Sequence, residues 1–188
     1  VVDRLLEWAG SETVNLLKID CLGLRTLGVI EDAGVVTADE LYALTLDDPK
    51  VFDLFNSGRY AGVFQFEGQA LRRAAADVDI NDFRKIDHLT ALARPGPLGA
   101  GAATHYINRA AGREPVTYQH PSMADYLGAT YGVILYQEQV MRICVEIGKF
   151  SLAETSAVRK AISLRKGREF LDQYGARFID GAATVGMS

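Results

Sequence analysis

Tyr131-Gly132-Val133-Ile134-Leu135-Tyr136-Gln137-Glu138-Gln139-Val140-Met141, followed by Ser151-Leu152-Ala153-Glu154, decides how this chain is read. The apolar, β-branched and aromatic run at 131–136 is bounded by a glycine and predicts a short buried strand. From Gln137 the period changes: Val140, Ile143, Cys144 and Ile147 recur at helix spacing. Ser151 with Glu154 three residues on is a capping box, so a second helix is expected to start there. Leu152, Val158 and Ile162 share one side of that helix, and Arg159 and Lys160 lie off it. Arg165, Lys166 and Arg168 follow, giving five cations within positions 159–168. Such a run is either a solvated helix face or a device for holding an anion.

The rest of the chain is acidic. Its 188 residues carry a net charge of −4, with a sequence pI near 5.4. That balance argues against a protein that coats nucleic acid generally, so any anion site is local and the 159–168 cluster is its main candidate. A hydrophobic content of 48% places the chain among folded globular proteins, and its length suits one good core or one domain with part of another. Cys21 and Cys144 lie far apart without a CxxC partner, so no structural zinc site is implied and a reduced, cytoplasmic setting is expected. No stretch approaches the roughly 18 apolar residues of a membrane span. Val1-Val2-Asp3-Arg4 has no signal-peptide pattern and no start methionine, which reads as a fragment or a processed piece.

In chain order, Val14 to Asp20 predicts a strand whose end presents Lys18 and Asp20 on one side. A strand-end aspartate serves as a turn cap as readily as a ligand. Leu24 to Asp32 reads as helix, with Leu24, Leu27 and Ile30 in register and Gly34 as its stop. A capping box at Thr37-Ala38-Asp39-Glu40 opens a short helix to about Leu46, and Asp48-Pro49 opens another that Gly58 ends. Gly62 to Phe66 is expected to be extended and Glu67 to Ala76 helical. Asn81 to Ala93 predicts a longer helix with Phe83, Ile86, Leu89 and Leu92 inward, stopped by Arg94-Pro95-Gly96-Pro97-Leu98. Helices are expected at Ala100 to Ala111, from His120-Pro121 to Leu127, and at Glu169 to Asp180, the last with Phe170, Leu171, Tyr174 and Phe178 as its apolar side. The fold class is therefore mainly α, with a few short strands. The only boundary signal lies near Gly34.

Five of these segments, in order, resemble one family: the C-family replicative DNA polymerases, the α subunit of bacterial DNA polymerase III. They are Leu17-Lys18-Ile19-Asp20-Cys21-Leu22-Gly23-Leu24-Arg25-Thr26-Leu27, Gly62-Val63-Phe64-Gln65-Phe66-Glu67, Arg94 to Leu98, His120-Pro121, and Tyr131 to Met141. The resemblance covers about residues 14 to 170. It implies a residual palm segment at 1–34 and a helical fingers domain at 35–188. It also implies a DNA-directed DNA polymerase as the full-length chain, working on deoxynucleoside triphosphate and primer–template DNA beside other replisome subunits, away from any membrane.

By the same resemblance Asp20 is the catalytic carboxylate of this segment, one ligand of two Mg²⁺ ions, and Lys18 contacts the triphosphate. Phosphoryl transfer suits that pairing, because hard cations take carboxylate oxygens and a polyphosphate takes a cation. The family's paired arginines, which grip the nucleotide's phosphates, fall on Arg159 and Lys160. Arg94 either ties the Pro-Gly-Pro turn by hydrogen bonds to carbonyls, the reading its place favours, or contacts DNA, and Arg165 and Lys166 are candidate DNA contacts. Lys160 departs from the second arginine, replacing a bidentate fork with a point charge. Cys21 stands for a phenylalanine. The family's Asp-x-Asp pair of palm carboxylates is missing. Asp77-Val78-Asp79 has that spacing but lies in fingers sequence. The 188 residues alone are therefore expected not to polymerise DNA. The rival reading is a non-catalytic helical module that binds nucleic-acid backbone or a replication partner, which the acidic net charge suits.

Overall fold

The computed structural model describes residues 23–93, 101–164 and 166–187. Those residues are mainly helical and hold no β-strand. The chain divides between Leu44 and Thr45 into two compact units, later in sequence than the boundary signal at Gly34. The predicted strand over Val14 to Asp20 lies outside the described residues, as do Lys18, Asp20, Arg94 and Arg165.

In the first unit, α1 (Arg25–Ala33) ends where Gly34 takes φ 61°, the left-handed turn expected of it. Thr37 and Glu40 close the predicted capping box at the start of α2 (Ala38–Tyr42). That helix stops short of the expected Leu46, which sits at φ 59°. Neither helix buries a residue, and Leu27 in the α1 stripe is 57% exposed.

The second unit starts with α3 (Pro49–Asn56), opened by the Asp48 cap with proline in its first turn. Then come α4 (Gln69–Ala76), α5 (Phe83–Leu92) and α6 (Ala102–Ala110). These four helices enclose the largest core, where Phe55, Phe66, Leu71, Ile80, Leu89, Leu92 and Tyr106 are buried. Ile86, Leu89 and Leu92 point inward as the periodicity requires, whereas Phe83 is 44% exposed. Phe83 is the first residue of α5, where the apolar face has only begun to meet the core.

Gly62 to Phe66, expected to be extended, forms successive turns. The Val63 and Phe66 amides donate to the Tyr60 and Val63 carbonyls, and Gln65 takes φ 65°. The turns drive Phe66 edge-on against Phe55, with ring centroids 4.8 Å apart, so burial of one aromatic ring outweighs the local strand preference. His120 enters a 3-10 turn (Pro121–Met123) with its ring nitrogen accepting from the Ser122 amide, and α7 (Ala124–Leu127) follows.

The last three helices are α8 (Gln137–Glu146), α9 (Leu152–Ser163) and α10 (Gly167–Thr184). Cys144, Phe150 and Val158 form a core between them, against Phe170, Tyr174 and Phe178. Burial pushes the Cys144 thiol above its usual range, consistent with its expected place in the core. The predicted apolar side of α9 is only partly buried: Val158 is, but Leu152 is 84% and Ile162 40% exposed. Leu171 on α10 is likewise 65% exposed.

Candidate functional site

The segment 131–136 is a pinned loop instead of the expected buried strand. It starts with two left-handed residues, Tyr131 at φ 53° and Gly132 at φ 75°, which no strand accommodates. A Cβ on Gly132 would lie 2.9 Å from the Thr117 carbonyl oxygen and 3.0 Å from the Arg109 guanidinium, so this position needs glycine on two counts. The loop's polar backbone is satisfied from elsewhere. Arg109 donates to the Tyr131 carbonyl at 3.2 Å while its Nε is held by Glu114 at 2.8 Å. The Leu135 and Tyr136 amides both donate to the Gln139 side-chain oxygen, at 2.8 and 3.0 Å.

Gln139 is the residue that sequence reasoning missed. It is buried, and its amide nitrogen donates to the Tyr126 carbonyl at 3.1 Å and to the Thr130 hydroxyl at 2.9 Å. All four hydrogen-bonding positions of the amide are thereby used. A strand would have needed a neighbouring strand for those loop amides; a side chain in the first turn of α8 supplies the acceptor instead. The signal available beforehand was a polar residue one position before the apolar Val140, on a helix otherwise turned to the core.

Beyond α8 the chain reverses at Gly148-Lys149, with Lys149 at φ 56° and the Phe150 amide donating to the Cys144 carbonyl at 3.0 Å. Ser151 then caps α9 as predicted. Its hydroxyl accepts from the Glu154 amide, and Glu154 Oε2 accepts from the Ser151 amide at 2.7 Å. These hydrogen bonds hold the Glu154 carboxyl below its usual range, the backbone amide contributing most.

α9 carries Arg159 and Lys160 on its solvent side. Consecutive helical residues differ in direction by about 100°, so the two cations fan outward from adjacent faces. Lys160 and Lys166 meet around a shallow pocket of about 260 Å³ that Leu164, Glu169 and Phe170 also line. Lys166 is paired there with Glu169 at 2.9 Å, and its amide donates to the Ala161 carbonyl at 2.8 Å, closing the turn into α10. Arg168 is exposed on the first turn of α10. The structure thus brings Lys160 and Lys166 together around one pocket, with Arg159 on α9 and Arg168 on α10 exposed nearby in sequence. Along the chain the cluster is preceded by the pinned loop and α8.

Among the described residues no group of three or more His, Cys, Asp or Glu side chains is placed to hold a metal ion. The one carboxylate expected to do so, Asp20, lies outside them. None of the helices formed by the described residues is long and apolar enough to cross a membrane.

The described residues are mainly helical, as the resemblance to a polymerase fingers domain implies. Residues 26–186 match the model of the bacterial DNA polymerase III alpha subunit finger domain, and the chain belongs to that family. It is similar to the DNA polymerase III alpha subunit of Helicobacter pylori, 37% identical over 181 residues, covering 93% of this chain and 15% of that protein. The alpha subunit of Aquifex aeolicus is 39% identical over 182 residues, covering 93% of this chain and 16% of that protein. The alpha subunit of Mycobacterium tuberculosis is 35% identical over 192 residues, covering 97% and 16%. The chain therefore spans about a sixth of the length of the curated relatives it matches.

Proposed function

We propose that the chain serves as the fingers of a bacterial replicative DNA polymerase and holds the triphosphate of the incoming deoxynucleotide with Arg159 and Lys160. The observation that carries this is the family match over residues 26–186, within which the two cations stand on the exposed side of α9. Lys160 and Lys166 around one shallow pocket support a second anion contact at the same helix end. Arg94, Arg165 and Lys166 are assigned to the backbone of primer–template DNA, a contact that is electrostatic and salt-sensitive. Residues 1–34 are assigned to residual palm, with Lys18 against the polyphosphate and Asp20 as a carboxylate for Mg²⁺.

In the complete enzyme the primer 3′-hydroxyl attacks the α-phosphorus and pyrophosphate leaves. Asp20 would help to hold Mg²⁺, which would supply Lewis-acid stabilisation of the reacting oxygens. The chain's own contribution is to fix the polyphosphate before that attack. Arg159 presents a planar fork and Lys160 a point charge, so the guanidinium orients while the ammonium neutralises. Cations held in place before charge develops on the leaving group need no reorganisation during the reaction. The enzyme works in the cytoplasm with other replisome subunits.

The test is steady-state incorporation by the full-length polymerase on primed template. Arg159→Ala is expected to raise KM for deoxynucleoside triphosphate about tenfold or more, the value of one charge-assisted contact. An unchanged KM in both Arg159→Ala and Lys160→Ala refutes the nucleotide assignment. The purified 188-residue chain is expected to incorporate no labelled nucleotide.

A further inference from the structure

Arg177 lies on α10, far along the chain from the cations of α9, yet it is tied to the start of that helix. Its guanidinium donates through one terminal nitrogen to the Gly148 carbonyl at 2.9 Å and through the other to the Lys149 carbonyl at 2.6 Å. The same group lies over the Phe150 ring, 5.5 Å from its centroid. Its Nε is 3.6 Å from Glu154 Oε1, and Glu154 Oε2 is the oxygen that completes the α9 capping box. One side chain therefore grips the turn before α9, the aromatic residue in that turn and the carboxylate of the first turn of α9.

We propose that Arg177 is a positioning residue for nucleotide binding: it fixes the angle of α9 on α10, and through that the places of Arg159 and Lys160. The proposal rests on the triphosphate reading above. Its physical basis is that α9 is held in the core at its middle, through Val158, while its outer positions are exposed. Leu152 at its start and Ile162 near its end are both exposed, and Val158 and Thr155 are its buried side chains. At the far end the turn into α10 is closed by the Lys166 amide on the Ala161 carbonyl. At the near end the clamp is Arg177, whose planar fork matches two successive carbonyls in a way that an ammonium does not. Arg159 lies little more than one turn beyond Glu154, so a tilt at the start of the helix carries to it almost undiminished.

The experiment is a double-mutant cycle in the full-length polymerase, read as KM for deoxynucleotide, with thermal melting in parallel. Arg177→Ala is expected to raise KM at least fivefold at temperatures well below its melting point. In a background carrying both Arg159→Ala and Lys160→Ala the same change is expected to add nothing, because its effect passes through those two cations. Arg177→Lys is expected to fall between wild type and Arg177→Ala. If Arg177→Ala loses its fold, Arg177→Lys carries the test, and a wild-type KM there overturns the proposal. A fold-increase from Arg177→Ala that is the same with and without the two cations also overturns it, as that would mark a general structural role. An unchanged KM in both Arg159→Ala and Lys160→Ala removes the triphosphate assignment and this inference with it. A raised KM for Arg159→Ala beside an unchanged one for Arg177→Ala removes only the inference.

Discussion

The Tyr136 hydroxyl donates to the Asp87 carboxylate at 2.5 Å, joining the residue just before α8 to the middle of α5 across 49 positions of sequence. Burial, this hydrogen bond and the negative charge of Asp87 all push the Tyr136 phenol above its usual range, burial most. Tyr136→Phe removes the bond without opening a cavity and is expected to cost about 1 kcal/mol. Asp87→Ala is expected to cost no more, and the double variant no more than either alone. Urea unfolding of the four proteins checks this, and additive losses would show that the two side chains do not act as a pair.

α10 crosses the turn after α8 at backbone contact. A Cβ on Gly181 would lie 2.0 Å from the Gly148 carbonyl oxygen, whereas one on Gly175 would meet nothing within 4 Å. Gly181→Ala is therefore expected to destabilise by about 2 kcal/mol or more, since backbone must move. Gly175→Ala is expected to stabilise by about 0.5–1 kcal/mol through helix propensity. Thermal melts of the two variants decide it, and equal effects would refute the crossing.

Asp82 caps α5, accepting from the Arg84 amide at 2.8 Å, and its carboxylate also takes the Arg84 guanidinium. These contacts, the Arg84 side chain first, lower its pKa to about 2. A depressed carboxylate stabilises the fold above its unfolded pKa, near 4, and loses that contribution as pH falls from there through about 2. The pair faces water, so the effect is below about 1 kcal/mol. Asp82→Asn keeps a capping oxygen but no charge. The melting-temperature gap between it and wild type is expected to close between pH 5 and pH 2, and a gap independent of pH would disprove the linkage.

Lys160 bears on the nucleotide proposal directly. Lys160→Arg restores a bidentate fork at the position where the resemblance expects one. The full-length enzyme carrying it is expected to show a KM for deoxynucleotide several-fold lower than wild type. A higher KM would mean that the ammonium is matched to its site as it stands.

Much of the helical plan was legible because helix starts are local. Thr37 with Glu40, Asp48 with Lys50, and Ser151 with Glu154 each satisfy orphan amides within one turn, and each opens a helix where the residues say it should. Arg159 and Lys160 face solvent because their register against Val158 leaves them no other side. The apolar stripes were less legible. Leu152, Ile162 and Leu171 have the spacing of core residues, but spacing does not say whether a neighbour arrives to cover them.

By itself the sequence determined the mainly helical class, the capped helix starts, the charge cluster at the join of α9 and α10, and the family. Each of these depends on residues a few positions apart or on linear motifs. Tertiary structure alone decided that 62–66 and 131–136 are turns and not strands, and that Arg177 binds the turn before α9. In each case a side chain decides: it satisfies backbone groups that no neighbouring strand pairs, or it buries a ring against another ring. Gln139 for Leu135 and Tyr136, Arg109 for Tyr131, Phe55 for Phe66 and Arg177 for Gly148 and Lys149 are choices made by packing.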